Sequence, residues 1–283
     1  VFCLSLHGRD GDAAAAVLRY PKVFALVGGQ DGMKKLCASL ADAGLGEISV
    51  AVGERLGYPE EKITRGTAAE LAGKDFDKLS VALLTGGGFG TVTHGLPDSA
   101  FQRGSHADGT VVPMTKGEVR SVALSKLALT RNAVCWDIGA GTGSVSIEMA
   151  LQADLGHTYA VEKKPEALVL LQENARRLHA ANLTAVSGLA PEACLDLPAP
   201  THAFIGGSSG NMEAILNACW DRNPHCRIVA AAVALETVAE LTRLSKLHPA
   251  EILTLTAAQA HKVGPYSMMQ GQNPIYLFTF DGK

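Results

Sequence analysis

The sequence has no Cys-x-x-Cys pair. Its six cysteines, Cys3, Cys37, Cys135, Cys194, Cys219 and Cys226, are scattered, and several fall within strand-like or helix-like patterns. No metal-ligating or redox spacing is therefore present, and the thiols read as reduced, small core hydrophobes. Long apolar runs are also missing. Stretches such as Val81 to Leu84 and Ile228 to Leu235 fall far short of the roughly 20 residues that a membrane span needs. The opening "VFCLSLHGRD" lacks the basic flank, long apolar segment and small-residue cleavage site of a secretory signal. The expectation is a cytoplasmic protein with no membrane partner, and the first residue, Val1, suggests a fragment or a processed chain. There is no excess of positive charge: 25 Lys and Arg against 28 Asp and Glu leave a net charge of -3. Such a chain has no general field to attract nucleic acid, so an anionic substrate needs local basic groups. Internal repeats and low-complexity tracts are absent too.

What remains is an ordinary globular composition, 47% apolar and 19% charged, over 283 residues, enough for one large domain or two smaller ones. The segment between Leu84 and Pro113, "TGGGFGTVTHGLPDSAFQRGSHADGTVVP", sustains no period and is rich in Gly, Ser, Thr and Asp. It reads as a linker over 86–113, between a first region at 1–85 and a second at 114–283. In the first region "KVFALV", "ISVAVGE" and "SVALLT" read as strands and "DGMKKLCASLADAG" as a helix ending near Gly44, an α/β layer.

The second region alternates strands and helices, as a mostly parallel sheet with helical crossovers requires. The strands are "AVCWDIG", "HTYAVEK", "LTAVSG", "HAFIGG", "CRIVAAAVA" and "EILTLTAAQ". Helical patterns cover 144–153, 165–180, 210–222 and 236–248, with Pro165 suited to a first helical position. The terminal "PIYLFTF" follows a strand without a helix between and is expected to pair antiparallel.

The first of these strands runs into "DIGAGTGS", where Gly139, Gly141 and Gly143 give G-x-G-x-G. A dinucleotide fingerprint needs Gly or Ala at Ser144, so the spacing is wrong for a nicotinamide cofactor. Asp137, two residues before the loop, would repel a pyrophosphate but suits a cationic amino-acid end. Glu162, at the end of the second strand, is placed to take the hydroxyls of a ribose. A cationic methionine end and a ribose together describe S-adenosylmethionine. The competing reading leaves both acids as helix caps or solvated groups.

The run "VPMTKGEVRSVALSKLALTRNAVCWDIGAGTGSVSIEMA", followed by "AVEKKPEALVLLQENARRL", "APEACLDLP", "FIGGSSGNMEAIL", "ALETVAEL" and "NPIYLF", resembles the decarboxylating precorrin methyltransferases of cobalamin synthesis from about Leu96 to Asp281. In "SLHGRD", "LADAGLG" and "VGERLGYPEEKITRGTAAELAGKDFDKLSVALL" the first region resembles the C-terminal half of the tetrapyrrole methylase often fused ahead of that family. The resemblance implies a class I S-adenosylmethionine-dependent methyltransferase fold, Rossmann-like with a mostly parallel seven-stranded sheet, preceded by a partial tetrapyrrole methylase domain.

It further implies methylation of C15 of a precorrin with loss of CO2 from the C12 acetate, and a homo-oligomer, a tetramer in the family. The cofactor would lie against Thr115, Asp137, Gly139, Ala140, Gly141, Thr142, Gly143, Glu162, Leu189 and Ala190. Where the family usually has Gly-Asp-Ala-Pro-Glu this chain reads "GLAPE", so Leu189 replaces an acid and adenine would rest on backbone and apolar contact. Thr115 has a second reading, because Thr115 and Glu118 have the spacing of a capping box. The tetrapyrrole is expected against Lys116, Arg120, Gly206, Gly207, His261, Lys262 and Tyr266. No catalytic residue is nominated, because the electron-rich macrocycle can itself act as nucleophile and electron sink. A degenerate cofactor- or tetrapyrrole-binding subunit, or a methyltransferase for another small molecule, stays open beside this reading.

Overall fold

A computed structural model describes residues 1–7, 12–29, 31–88 and 93–282. The last residues of "SLHGRD" and the stretch 89–92 of the expected linker lie outside them. The chain forms two compact units, one of Val1–Val92 with Arg176–Ala181 and one of Thr93–Ala175 with Asn182–Lys283.

In the first unit β1 (Phe2–Ser5), α1 (Ala13–Arg19), β2 (Lys22–Val27), α2 (Gly32–Leu40), β3 (Ser49–Glu54), β4 (Lys62–Thr67), α3 (Ala68–Leu71) and β5 (Ser80–Thr85) follow one another. The sheet order is β1-β2-β5-β3-β4, parallel between β1 and β2 and antiparallel elsewhere. Alternate residues Val23, Ala25, Val50, Val52, Ala82 and Leu84 are buried against Val17, Leu36, Cys37 and Leu40 of the helices, the period of two that a half-covered sheet imposes. The α2 helix continues through an irregular turn at Ala41–Leu45, where Gly44 takes φ 76°. Its expected end near Gly44 follows from glycine's access to that conformation. Two strands escape the sequence reading: β1, and β4, whose "KITRGT" is polar and largely exposed because it is an edge.

The second unit holds α4 (Gly117–Leu127), β6 (Val134–Ile138), α5 (Ser144–Gln152), β7 (His157–Glu162), α6 (Pro165–Arg177), β8 (Leu183–Ser187), β9 (His202–Ile205), α7 (Met212–Arg222), β10 (Arg227–Ala232), α8 (Leu235–Leu244), β11 (Ala250–Leu255), β12 (Ala258–Val263), β13 (Tyr266–Gly271) and β14 (Ile275–Phe280). Seven strands form one sheet in the order β11-β14-β10-β9-β6-β7-β8. β14 pairs antiparallel with both neighbours, and the other pairings are parallel. The expected antiparallel terminal strand is thus present, but a separate two-stranded hairpin, β12–β13, is inserted before it.

Strand alternation sends Cys135, Phe204, Val229 and Leu277 toward Val119, Leu124, Val145 and Met149 on one face. Trp136, Ile138, Ile228, Phe278 and Phe280 pack with Ile215, Leu216, Trp220 and Leu241 on the other. Burying such side chains contributes about 1.5–3 kcal/mol each. Among the described residues no helix is long and apolar enough to cross a membrane.

From Thr93 onward the expected linker belongs to the second unit. It holds a short 3-10 turn, Asp98–Ala100, and a bridge between Ser105 and Val111. Polar groups fix it: Glu148 accepts from the backbone N–H of Gly95 (2.8 Å) and Leu96 (3.1 Å), and Asn174 Oδ1 accepts from Gln102 N–H at 2.7 Å. The absence of a hydrophobic period hid this, because the segment is held by side-chain-to-backbone bonds rather than by a repeating apolar face.

Candidate cofactor and active site

After β6 the chain order runs outward through β7 to β8, then returns to β9 on the opposite side. Ligands of open α/β sheets bind beyond the strand carboxyl ends at such a reversal. The loop after β6 lies there, and its glycines are required by close approach. A Cβ on Gly139 (φ 75°) would stand 2.8 Å from Gly207 O, and one on Gly141 (φ 55°) 2.5 Å from Pro113 O. The loop is pinned from several sides. The N–H groups of Gly139 and Ala140 donate to Val161 O, at 2.9 and 3.2 Å, and Thr142 N–H donates to Pro113 O at 3.2 Å. Buried Asn174 donates to Thr142 O at 3.0 Å.

A cleft with about 760 Å³ of free space, mouth included, opens at this point. Gly139, Gly141, Glu162, Leu189, Ala190, Gly206 and Gly207 line it, so the structure brings these sequence-derived residues together. Glu162 Oε2 accepts from Gly141 N–H at 2.9 Å, and Oε1 accepts from the N–H groups of Lys163 (2.9 Å) and Lys164 (3.0 Å). Its carboxylate is therefore held at the cleft wall as an acceptor able to take a hydroxyl proton. Leu189, at the position where an acid was expected by resemblance, is 40% exposed and offers an apolar wall.

Ala140, Thr142 and Gly143 shape the loop without lining the cleft. Thr142 is fully buried, and Gly143 at φ 80° ends the loop before α5, where a Cβ would meet Leu171 at 2.8 Å.

Other expected residues stand elsewhere. Asp137 shares the strand face of Cys135, which points under α5 rather than into the cleft. It is buried and accepts a hydrogen bond from Ser146 Oγ, while its Oδ1 has no hydrogen-bond partner among the described residues. Burial pushes its carboxyl up to about 7, opposed by the Ser146 bonds. It is a buried acid behind the loop, not a direct hold on an amino group.

Arg120, expected against substrate, is 0% exposed. Its Nε donates to Glu148 Oε1 at 2.6 Å, one terminal nitrogen donates to Thr115 O at 2.7 Å, the other donates to Leu96 O, and the guanidinium lies 4.7 Å over the Phe101 ring. It braces the 95–101 segment. Lys116 lies 3.5 Å from Asp98 and does not line the cleft.

The capping box does not form. Lys116, not Thr115, is the N-cap of α4, without a side-chain bond, and Glu118 accepts from Gln259 at 2.7 Å instead. Thr115 is half-buried, outside the cleft lining, and its carbonyl also accepts from Ser144 Oγ at 3.4 Å. A capping box does form in the first unit, between Thr67 and Glu70. His261, Lys262 and Tyr266 lie on the exposed β12–β13 hairpin and do not line the cleft. The sequence reading also missed cleft residues: His106, Lys163, Lys164, Ser208 and Ser209. The lysines follow Glu162 directly, and Lys163 Nζ donates to Ser209 Oγ at 2.8 Å, so the strand ends were the available signal. His106 carried none.

A glycine-cradled cleft at the sheet reversal, with an acid at the end of the second strand, is the arrangement found in nucleoside-binding α/β folds. The family model described as precorrin methyltransferase domain matches residues 105–281. This chain belongs to that family. A probable cobalt-precorrin-6B C(15)-methyltransferase (decarboxylating) of Pyrobaculum calidifontis is 42% identical over 66% of this chain and 95% of its own length. A precorrin-6Y C(5,15)-methyltransferase (decarboxylating) of a Sinorhizobium species is 31% identical over 98% of this chain. The chain spans 66% of that relative's length. Among solved structures, a precorrin-6y C5,15-methyltransferase of Geobacter metallireducens superposes with TM-score 0.60 at 35% identity, covering 66% of this chain and 97% of the other. The second unit therefore has the class I, Rossmann-like fold of S-adenosylmethionine-dependent methyltransferases.

Proposed function

We propose that this chain methylates C15 of a precorrin macrocycle with S-adenosylmethionine and removes the C12 acetate carboxyl as CO2, a step in cobalamin formation. The observation that carries the reading is the cleft itself: Gly139 and Gly141 at its floor and Glu162 at its wall, in a chain 42% identical to a relative named for that reaction. The residues fit the cofactor. Gly139 and Gly141 present bare backbone at the cleft lining, Glu162 offers acceptors for ribose hydroxyls, and Leu189 with Ala190 offers an apolar face for adenine.

When bound, S-adenosylmethionine supplies a sulfonium methyl, and the macrocycle carbon supplies the electron pair for the new bond. The chain's task is placement, worth several powers of ten when reacting atoms are held near contact. Gly207, beside the loop at the end of β9, leaves space for that approach, since a Cβ there would meet nothing within 4 Å, whereas one on Gly206 would meet the Phe204 ring at 3.1 Å. For the acetate, the carbon–carboxyl bond breaks as CO2 leaves, its electron pair passes into the conjugated ring system, and a proton returns to the methylene carbon.

The first unit is proposed to correspond to the C-terminal half of a tetrapyrrole methylase domain, supported by the Sinorhizobium relative matching across 98% of this chain. A homo-oligomer is proposed as well. All twelve residues of β12 and β13 are exposed, including Val263, Tyr266, Met268 and Met269 at 54–72%. Apolar groups of that size in the open mark a surface that a second copy can cover.

The test is incubation of the purified chain with S-adenosylmethionine and a precorrin-6-type substrate, read by mass spectrometry. Gain of one methyl group with loss of one CO2 supports the reading. Unchanged mass with S-adenosylhomocysteine still bound would favour a binding subunit instead.

A further inference from the structure

A polycarboxylate substrate needs positive charge at the cleft, and most cations that the sequence offers for it are engaged elsewhere. Arg120 is buried on Glu148, Lys116 lies beside Asp98, and Lys262 stands on the exposed hairpin outside the cleft lining. Among the described residues, the lysines that line the cleft are Lys163 and Lys164. Lys163 is exposed, and its Nζ donates to the neutral Ser209 Oγ at 2.8 Å. Among the described residues it has no ion-pair partner.

Ser209 is presented by a fixed turn. Its φ is 51°, left-handed in a residue that carries a Cβ, and Gly210 follows at φ 88°. Such a conformation is strained outside glycine and recurs where a side chain meets a ligand. Asn211 N–H donates to Ser208 O at 3.0 Å, and Asn211 Nδ2 donates to Ala190 O at 3.2 Å, which ties the turn to the cleft wall. The Ser209 hydroxyl is exposed, and its own hydrogen has no acceptor among the described residues.

Lys163 follows β7 and Ser209 follows β9, the neighbours of β6 on its two sides. Their bond therefore joins the two walls of the cleft across the end of β6. The ammonium gives one of its three hydrogens to Ser209 and keeps two, while the hydroxyl keeps its own. Two donors 2.8 Å apart, one of them charged, match the two oxygens of a carboxylate.

The geometry points to Lys163 and Ser209 as a carboxylate-binding subsite at the cleft mouth that takes an acidic side chain of the tetrapyrrole. This inference rests on the function proposed above. Lys163 Nζ donates to one carboxylate oxygen and Ser209 Oγ to the other. An ammonium in contact stabilises a carboxylate against loss of CO2, because the charge it holds disperses in the transition state. The group held here is therefore one that the product keeps, not the C12 acetate.

Absorbance titration of a precorrin-6-type substrate into the full chain, saturated with S-adenosylhomocysteine, tests this. Lys163→Met keeps the stem and removes the charge, and its dissociation constant is expected to rise about tenfold. Lys163→Arg, which restores a charged donor, should stay within about threefold of the parent. Ser209→Gly removes the hydroxyl at a left-handed position that glycine accepts, and should cost about threefold. Added salt should weaken the parent more than the methionine variant. Affinity for S-adenosylhomocysteine alone should hold within about twofold in all three, and melting temperatures should match, since both side chains are exposed. In turnover the methionine variant should raise KM for the tetrapyrrole far more than it lowers kcat, a split that a merely structural role would not give. Parent-like tetrapyrrole affinity in the methionine variant, or equal losses in methionine and arginine, overturns the assignment. So does loss of S-adenosylhomocysteine affinity, which would put the carboxylate on the cofactor's amino-acid end. A parent chain that binds S-adenosylhomocysteine but no precorrin would instead remove the proposed function, and this inference with it.

Discussion

Glu162 accepts the Gly141 N–H at 2.9 Å, joining the end of β7 to the loop that follows β6. One carboxylate therefore sets the loop's position and faces the cleft with its remaining lone pairs. Glu162→Ala removes both roles, and S-adenosylhomocysteine affinity should fall at least about tenfold, since hydrogen bonds to charged groups contribute about 1.5–3 kcal/mol each. Titration calorimetry checks this, and an unchanged dissociation constant would contradict it.

Gly141→Ala should cost more than Gly207→Ala. At Gly141 the backbone is left-handed (φ 55°) and a Cβ would sit 2.5 Å from Pro113 O, whereas at Gly207 nothing lies within 4 Å. The expected destabilisation at Gly141 is about 1–3 kcal/mol, with loss of cofactor binding. At Gly207 thermal stability should hold, and equal melting temperatures for the two variants would show that the loop is not so constrained.

Asp137 gives a pH signature in the cofactor-free chain. Burial raises its carboxyl from 3.8 to about 7, so between those values the unfolded chain has released a proton that the folded chain keeps. Stability from this group is full below about pH 3.8, falls as pH rises toward 7, and changes no further above it. Asp137→Asn has no such proton to lose. Its melting temperature relative to the parent should climb between pH 5 and about 7 and then level off. A difference independent of pH would contradict the burial account.

Arg120 is predicted to be structural. Arg120→Met leaves Glu148 buried without its 2.6 Å partner, and breaking a buried pair from one side costs about 3–5 kcal/mol. Adding Glu148→Gln should restore part of the loss in denaturant titrations. A full-stability Arg120→Met chain with a raised substrate KM would return this residue to the substrate.

The β12–β13 hairpin should decide assembly. Light scattering of the parent should give a mass above 29.5 kDa, and Met268→Asp with Met269→Asp should lower it without unfolding the chain. A monomeric parent would remove the oligomer proposal.

How far the sequence could be read follows from where its signals were periodic. The seven strands of the second unit's large sheet declare themselves because alternate positions feed two separate cores, as Cys135 and Trp136 do, whereas β12 and β13, exposed throughout, feed neither and escape the sequence reading. That same alternation, applied one step further, places Asp137 on the Cys135 face and so under α5. The strand β4 was hidden by being a polar edge. The glycine loop was legible because each glycine answers a steric demand, and Glu162 because it ends a strand beside that loop. Arg120 was not, since a basic residue near a motif reads as exposed until the fold supplies Glu148, Leu96 O and Thr115 O around it. His106 lay in a stretch without period, where long-range hydrogen bonding, invisible in sequence, does the positioning.

The most direct test of the central claim uses S-adenosylmethionine carrying an isotope-labelled methyl group with a precorrin-6-type substrate, followed by NMR of the product. The account predicts the label on C15 and a methyl group in place of the C12 acetate. A label at another carbon, or on oxygen or nitrogen, with the acetate intact would contradict it.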